Sequence, residues 1–297
     1  MRILMLLFSL LLAAPAHAGL RVVATVPDLA AVAESVGGDH VDVTSMALPT
    51  QDPHFLDAKP KLALDLSRAD ALLLVGLELE VGWLPTLLTA SRNADIQKGA
   101  PGYIDCSGFV DLLEVPTHSI DRSMGDVHPG GNPHYAYDPR AMVQVAYGLA
   151  HSFATLDPAH ATEYQEGAAA FEAEVEAALA SWSSELVVLD GLPVVQYHRS
   201  FAYLADWLHL HMVADVEPKP GIPPAPAQVA RTVSTARTAG AKLLLIEAHY
   251  PQKTAELVAK NAGASLIRLV AGTDFEGGQT YVQHMDEWVR AMAAGVK

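Results

Sequence analysis

The stretch LRVVATVPDLAAVAESVGGDHVDVTSMA, Leu20–Ala47, decides the fold class. Its first seven residues form an apolar, β-branched run that reads as a strand (Leu20–Val26), and its last seven read as another (Val41–Ala47). Between them, Pro27–Val36 has apolar residues at helical spacing. Strand, helix and strand in so short a span open an α/β domain. The rhythm continues with a helix over Lys59–Ser67 and a strand over Ala71–Val75. It returns in the second half, with strands at Val194–Gln196, His211–Val216, Lys242–Ile246 and Ser265–Leu269 and helical segments between them. The expected fold is α/β, with two similar lobes that each carry a mainly parallel sheet.

Residues 157–187 separate the lobes. Asp157-Pro158 is a good N-cap and N1 pair, and the Ala- and Glu-rich stretch to Leu186 has few breakers. One helix of this length would run about 40 Å at roughly 1.5 Å per residue and act as a stiff connector. The expected organisation is an N-terminal lobe over 19–156, the linking helix over 157–187 and a C-terminal lobe over 188–297. Two segments break the periodicity. Val115–Pro133, with Pro116, Pro129, Pro133 and three glycines, reads as an exposed, mobile loop carrying His118 and His128. Glu217–Pro226, with five prolines, reads as an irregular segment wrapping the second lobe.

Residues 1–18 set the compartment. Arg2 precedes an apolar run, Ile3–Leu12, and Ala16-His17-Ala18 is a small-x-small cleavage site, together a secretory signal peptide. The run is well short of the roughly 20 residues needed to span a bilayer. No cysteine follows the cleavage site, so a soluble periplasmic protein is expected. The chain carries 19 Lys+Arg against 34 Asp+Glu, a net charge of −15. Cleavage would take away only Arg2. Such an acidic balance argues against a nucleic-acid partner, which calls for a basic face, and suits the collection of cations. The single cysteine, Cys106, cannot form an internal disulfide and reads as a buried residue.

Three histidines stand just beyond predicted elements, where side chains can converge: His54 in Asp52-Pro53-His54, His134 in Asn132-Pro133-His134, and His198 in Gln196-Tyr197-His198. The prolines restrict the backbone around the first two. Neutral imidazole is the commonest zinc ligand, and three imidazoles with one carboxylate make a closed tetrahedral site. No short-spaced metal motif brings these residues together in sequence. A rival reading is a zinc hydrolase built on His209-Leu210-His211, whose alternation would put both imidazoles on one strand face. That pair has no acid–base partner at a telling spacing.

The mature chain as a whole resembles the zinc- and manganese-binding solute receptors of ABC importers. The resemblance rests on Asp52-Pro53-His54 with Lys59-Pro60, Asn132-Pro133-His134-Tyr135 with Asp138-Pro139, Tyr197-His198 with Phe201-Tyr203-Leu204, and Glu217-Pro218 with Gly221-Ile222-Pro223-Pro224, in that order. It implies two α/β lobes on a stiff helix, and binding without catalysis. It also implies a metal held by His54 and His134 from the first lobe and by His198 and Asp274 from the second. Asp274 falls where the family places a C-terminal carboxylate, although its flanking residues differ from the commonest form. Three imidazoles favour Zn2+ over the harder manganese ion, which leaves a manganese receptor as the alternative. The zinc is cargo. The implied partners are the membrane permease of a metal ABC importer and a periplasmic zinc metallochaperone, and a monomer is expected. Asp138 is expected to cap a helix, and Glu247 reads either as a carboxylate near the site floor that accepts from a ligand imidazole or as an exposed loop carboxylate. His118 and His128 could pick up zinc loosely.

Overall fold

The structure is a computed structural model that describes residues 19–117, 128–219 and 221–296. The signal-peptide reading of residues 1–18, and His118, lie outside the described residues.

The first lobe runs β1 (Leu20–Ala24), α1 (Pro27–Gly37), β2 (Val41–Ser45), α2 (Pro60–Arg68), β3 (Ala71–Leu74), α3 (Leu84–Ser91), β4 (Tyr103–Asp105) and α4 (Pro139–Leu156). Then come α5 (Ala161–Ser181) and α6 (Ser183–Leu189). The second lobe runs β5 (Pro193–Gln196), α7 (Ala202–Leu208), β6 (His211–Asp215), α8 (Pro226–Thr238), β7 (Leu243–Glu247), α9 (Gln252–Ala262), β8 (Ser265–Leu269) and α10 (Tyr281–Val296). Each lobe holds a four-stranded parallel sheet, ordered β2-β1-β3-β4 and β6-β5-β7-β8. The inner strands β3 and β7 are buried along their whole length, which is why they read as unbroken apolar runs. Edge strands β2 and β6 are half-exposed and mix polar residues with apolar ones.

One apolar core passes through both lobes. It joins Val22 and Leu73 of the first sheet, Leu29 and Val32 of α1, and Phe171 of α5 to Leu243 of the second sheet and Trp288 of α10. Smaller clusters around Leu72 and Leu244 fill the outer faces of the two sheets. Tyr137 is buried in this shared layer against Phe201 and Trp288, with ring centroids 5.7 and 4.5 Å away.

The linking segment differs from one long helix. Asp157 and a 3-10 turn (Pro158–His160) precede α5, and the Asp157 carboxylate accepts from His160 Nδ1 at 2.6 Å and the Tyr164 hydroxyl at 2.9 Å. The 21 residues of α5 then end at Trp182, a length of about 32 Å at roughly 1.5 Å per residue. At Trp182 the helix is interrupted for one residue, and the Trp182 indole donates to Asp286 of α10 at 2.8 Å. Gly167 lets α5 lie directly on α1, since a Cβ there would sit 2.2 Å from the Val36 carbonyl oxygen. The connector is thus embedded in the core. No helix among the described residues is long and apolar enough to cross a membrane.

Candidate metal centre

Parallel sheets gather their functional loops at the carboxyl ends of the strands. His54 follows β2, His134 stands before α4, His198 lies just past β5, and Glu217 stands at the matching place past β6. A backbone bond from Glu217 to the Tyr197 carbonyl (3.0 Å) fixes these last two loops side by side.

The two Asx-Pro-His sequences fold into the same turn. Asp52 Oδ1 accepts from the His54 backbone N–H at 3.0 Å and pairs with its Nδ1 at 2.8 Å. Asn132 Oδ1 accepts from the His134 N–H at 3.0 Å and pairs with its Nδ1 at 2.9 Å. The Asn132 amide nitrogen donates to Glu114 Oε2 and to the Arg199 carbonyl, both at 3.0 Å, so the amide is oriented with its oxygen toward the imidazole. His198 Nδ1 pairs with Glu217 Oε2 at 2.8 Å, and that oxygen also accepts from the Gly221 N–H at 2.9 Å. Each acceptor sets a tautomer with hydrogen on Nδ1 and leaves Nε2 free as a metal donor. His54 Nε2 is buried without a hydrogen-bond partner.

The ligand atoms of His54, His134 and His198 lie within 4.8 Å of one another. Their ring centroids form a nearly equilateral triangle with sides of 5.5, 5.5 and 5.6 Å. Three imidazoles on a tetrahedral zinc, with bonds of about 2.0–2.1 Å, would place their centroids roughly 5.2 Å apart. The triangle is therefore within a few tenths of an ångström of a coordinating arrangement. Two of its members come from the first lobe and one from the second.

The surroundings tune the three rings differently. Burial, followed by the nearby His54 and His198, holds the His134 pKa well below that of a free imidazole. Burial also pulls on His198, but the Glu217 hydrogen bond and the charges of Glu247 and Glu217 outweigh it and leave its pKa raised. Glu247, buried at the end of β7, is pushed up to about 7 by burial, and its Oε2 has no partner. It lies near His198, as the first of its two readings has it, but the acceptor for that imidazole is Glu217. His249, two residues on, is lowered to about 4, chiefly by burial.

Asp274 is not brought to the triangle. It is exposed at the start of a 3-10 turn (Phe275–Gly277), where its backbone N–H donates to Gln279 Oε1 at 2.9 Å. The cause lies one and two residues earlier. The Gly272 N–H donates to the Pro49 carbonyl at 3.1 Å, and Thr273 donates through its N–H (3.1 Å) and hydroxyl (2.7 Å) to Asp28 Oδ1. These bonds pin the chain against the first lobe, and it turns outward at Asp274. Asp138 caps α4 as expected, accepting from the Arg140 N–H at 2.8 Å. The pair His209 and His211 does not share a strand. His209 ends α7 in the left-handed region (φ 51°) and pairs with exposed Asp190, so the alternation on which a hydrolase site depended does not exist.

Sequence reasoning did not assign the orienting roles of Asp52, Asn132 and Glu217. The repeated Asx two residues before a histidine was a signal for the first two, because that spacing is the Asx-turn spacing.

The profile of the family described as "Zinc-uptake complex component A periplasmic" matches residues 22–295. The chain belongs to this family. The high-affinity zinc uptake system protein ZnuA of Paracoccus denitrificans is 26% identical over 298 residues, covering 89% of this chain and 86% of that protein. The manganese-binding lipoprotein MntA of Halalkalibacterium halodurans is 21% identical over 285 residues, covering 94% of this chain and 89% of its own. A crystal structure of ZnuA shares the fold at a TM-score of 0.74 and 24% identity, covering 94% of this chain and all (100%) of the other. The two-lobed fold and the family that the sequence resemblance implied are both borne out.

Proposed function

We propose that this protein is the periplasmic receptor of a metal ABC importer, capturing Zn2+ between its lobes and handing it to the membrane permease without chemical turnover. One observation carries the reading: three buried or half-buried imidazoles from two lobes bring one ligand nitrogen each within 4.8 Å of the others, and each ring is held by an acceptor on Nδ1. A nitrogen-only triad suits zinc, whereas manganese prefers oxygen ligands. The family resemblance to both zinc and manganese proteins keeps manganese as the alternative cargo. A metal bound by loops of both lobes would be released when the importer distorts one ligand loop. Export by the leader over residues 1–18 and delivery of zinc by a periplasmic metallochaperone belong to the same reading.

A competitive zinc titration of metal-stripped mature protein, beside a His134→Ala variant and with manganese in parallel, tests it. One zinc per chain, binding lost by about two orders of magnitude or more in the variant, and weak manganese binding are expected. Preference for manganese would change the cargo, and unchanged zinc binding in the variant would place the site elsewhere.

A further inference from the structure

The Asx-Pro-His turn occurs twice, with a carboxylate at Asp52 and an amide at Asn132, and the contacts of Asn132 show what the amide is for. Its side chain is buried, and Nδ2 donates to two acceptors, Glu114 Oε2 and the Arg199 carbonyl, each at 3.0 Å. Glu114 lies between β4 and α4 in the first lobe. Arg199 lies between β5 and α7 in the second, directly after His198. A carboxylate at position 132 would have no hydrogen for either acceptor and would set a second negative charge against Glu114.

Glu114 is held from both lobes. Arg199 Nε donates to its two oxygens at 3.0 and 3.1 Å, and Nη2 donates to Oε1 at 2.7 Å, so Oε2 is shared between the guanidinium and the Asn132 amide. The Glu114 backbone is in the left-handed region (φ 53°), which a residue with a Cβ keeps only where its neighbours enforce it. Leu113 does so, since its N–H donates to the Tyr203 hydroxyl of α7 at 3.0 Å and its carbonyl accepts from the Asn132 N–H at 2.9 Å. The ion pair is not what joins the lobes. Its side chains are 54% and 33% exposed, a setting in which such a pair contributes little stability, and the shared apolar core already spans both lobes. What the pair adds is direction. With two acceptors on its nitrogen the Asn132 amide cannot turn over, and its oxygen stays 2.9 Å from His134 Nδ1.

We infer that Glu114 and Arg199 are positioning residues for the metal: through Asn132 they hold His134 in its ligating tautomer, and loosening them speeds metal release. The inference rests on the three-histidine centre proposed above. It names the link by which one ligand loop can be disturbed while the lobes stay together.

The test is the rate at which zinc leaves the loaded protein after a chelator is added in stopped flow, with the His134 tautomer read from nitrogen NMR of the metal-free protein. Glu114→Ala should release zinc about tenfold to a hundredfold faster, still at one zinc per chain, and should show His134 partly with its hydrogen on Nε2. Arg199→Ala keeps both acceptors of the amide, so its effect should be smaller. Glu114→Gln, nearly isosteric and with one acceptor oxygen left, should fall between the parent and Glu114→Ala. The most telling variant exchanges the charges, Glu114→Arg with Arg199→Glu. It restores a cross-lobe ion pair but turns a guanidinium, which only donates, toward the Asn132 amide, and it should release zinc as fast as Glu114→Ala. An exchange variant with the parental rate would reduce the pair to a plain tie between lobes and overturn the inference. Parental rate and tautomer in Glu114→Gln and Glu114→Ala would overturn it too, even if the exchange variant fails to fold. Failure of the centre itself would show separately, as parental zinc binding in His134→Ala.

Discussion

Asp52, Asn132 and Glu217 make three chemically identical imidazoles unequal. A carboxylate acceptor raises the basicity of its imidazole, while the neutral amide of Asn132 fixes a tautomer without adding charge. His134, depressed by burial and by its neighbours, remains neutral on mild acidification. His198, raised by Glu217 against its burial, protonates before His134. A proton on Nε2 excludes the metal, so binding is fully available above the raised His198 pKa and is lost as pH falls through it. Zinc affinity should therefore drop by about tenfold per pH unit once one proton competes, starting above the ordinary value near 6.5. In Glu217→Gln the largest opposition to burial is gone and only the charges of Glu247 and Asp52 still act against it, so the NMR-observed His198 pKa of the apo-protein should fall. Zinc affinity at pH 7.5 should drop by about tenfold to a hundredfold. A variant with the parental pH profile would show that Glu217 does not tune the ring. At this scale the sequence was legible where partners are local: Asx two residues before His is visible in one line of text. Glu217 stands 19 residues from His198 and could be joined to it only by the pairing of β5 with β6.

Among the elements, the passage from β8 to α10 decides what Asp274 can do. Its chain is fastened to the first lobe through Gly272 and Thr273 and turns away at Asp274. Asp274→Ala should thus change zinc affinity by no more than about twofold to threefold, in the range of an exposed substitution. A loss of a hundredfold would return Asp274 to the ligand set. Strands were the most legible elements: a fully buried parallel strand such as β7 is an unbroken apolar run, and even the partly exposed edge strand Ser265–Leu269 was read to the residue. Strand β4 is only three residues with one buried side chain, too short to carry a period. The break at Trp182 involves no glycine or proline. Trp182 there is tied to Asp286, 104 residues later, a contact that local propensity cannot register.

On the scale of the molecule, binding to a centre shared by two lobes stabilises the folded state in proportion to occupancy. At free zinc 100 times the dissociation constant the gain is about 2.7 kcal/mol. The melting temperature should rise with zinc concentration, fall back with chelator, and respond weakly in His134→Ala; equal shifts in parent and variant would point to binding elsewhere. The core that runs from the first sheet through α1 and α5 into the second has a further consequence. Lobes that share their interior are not two jaws on a hinge, since swinging them apart would expose Phe171, Tyr281 and Trp288 to solvent. Empty and filled protein should then give nearly superimposable small-angle scattering curves. An importer meeting this receptor would have to tell cargo-laden from vacant by the posture of a few loops at the rim, much as a lock senses the cut of a key and not its length.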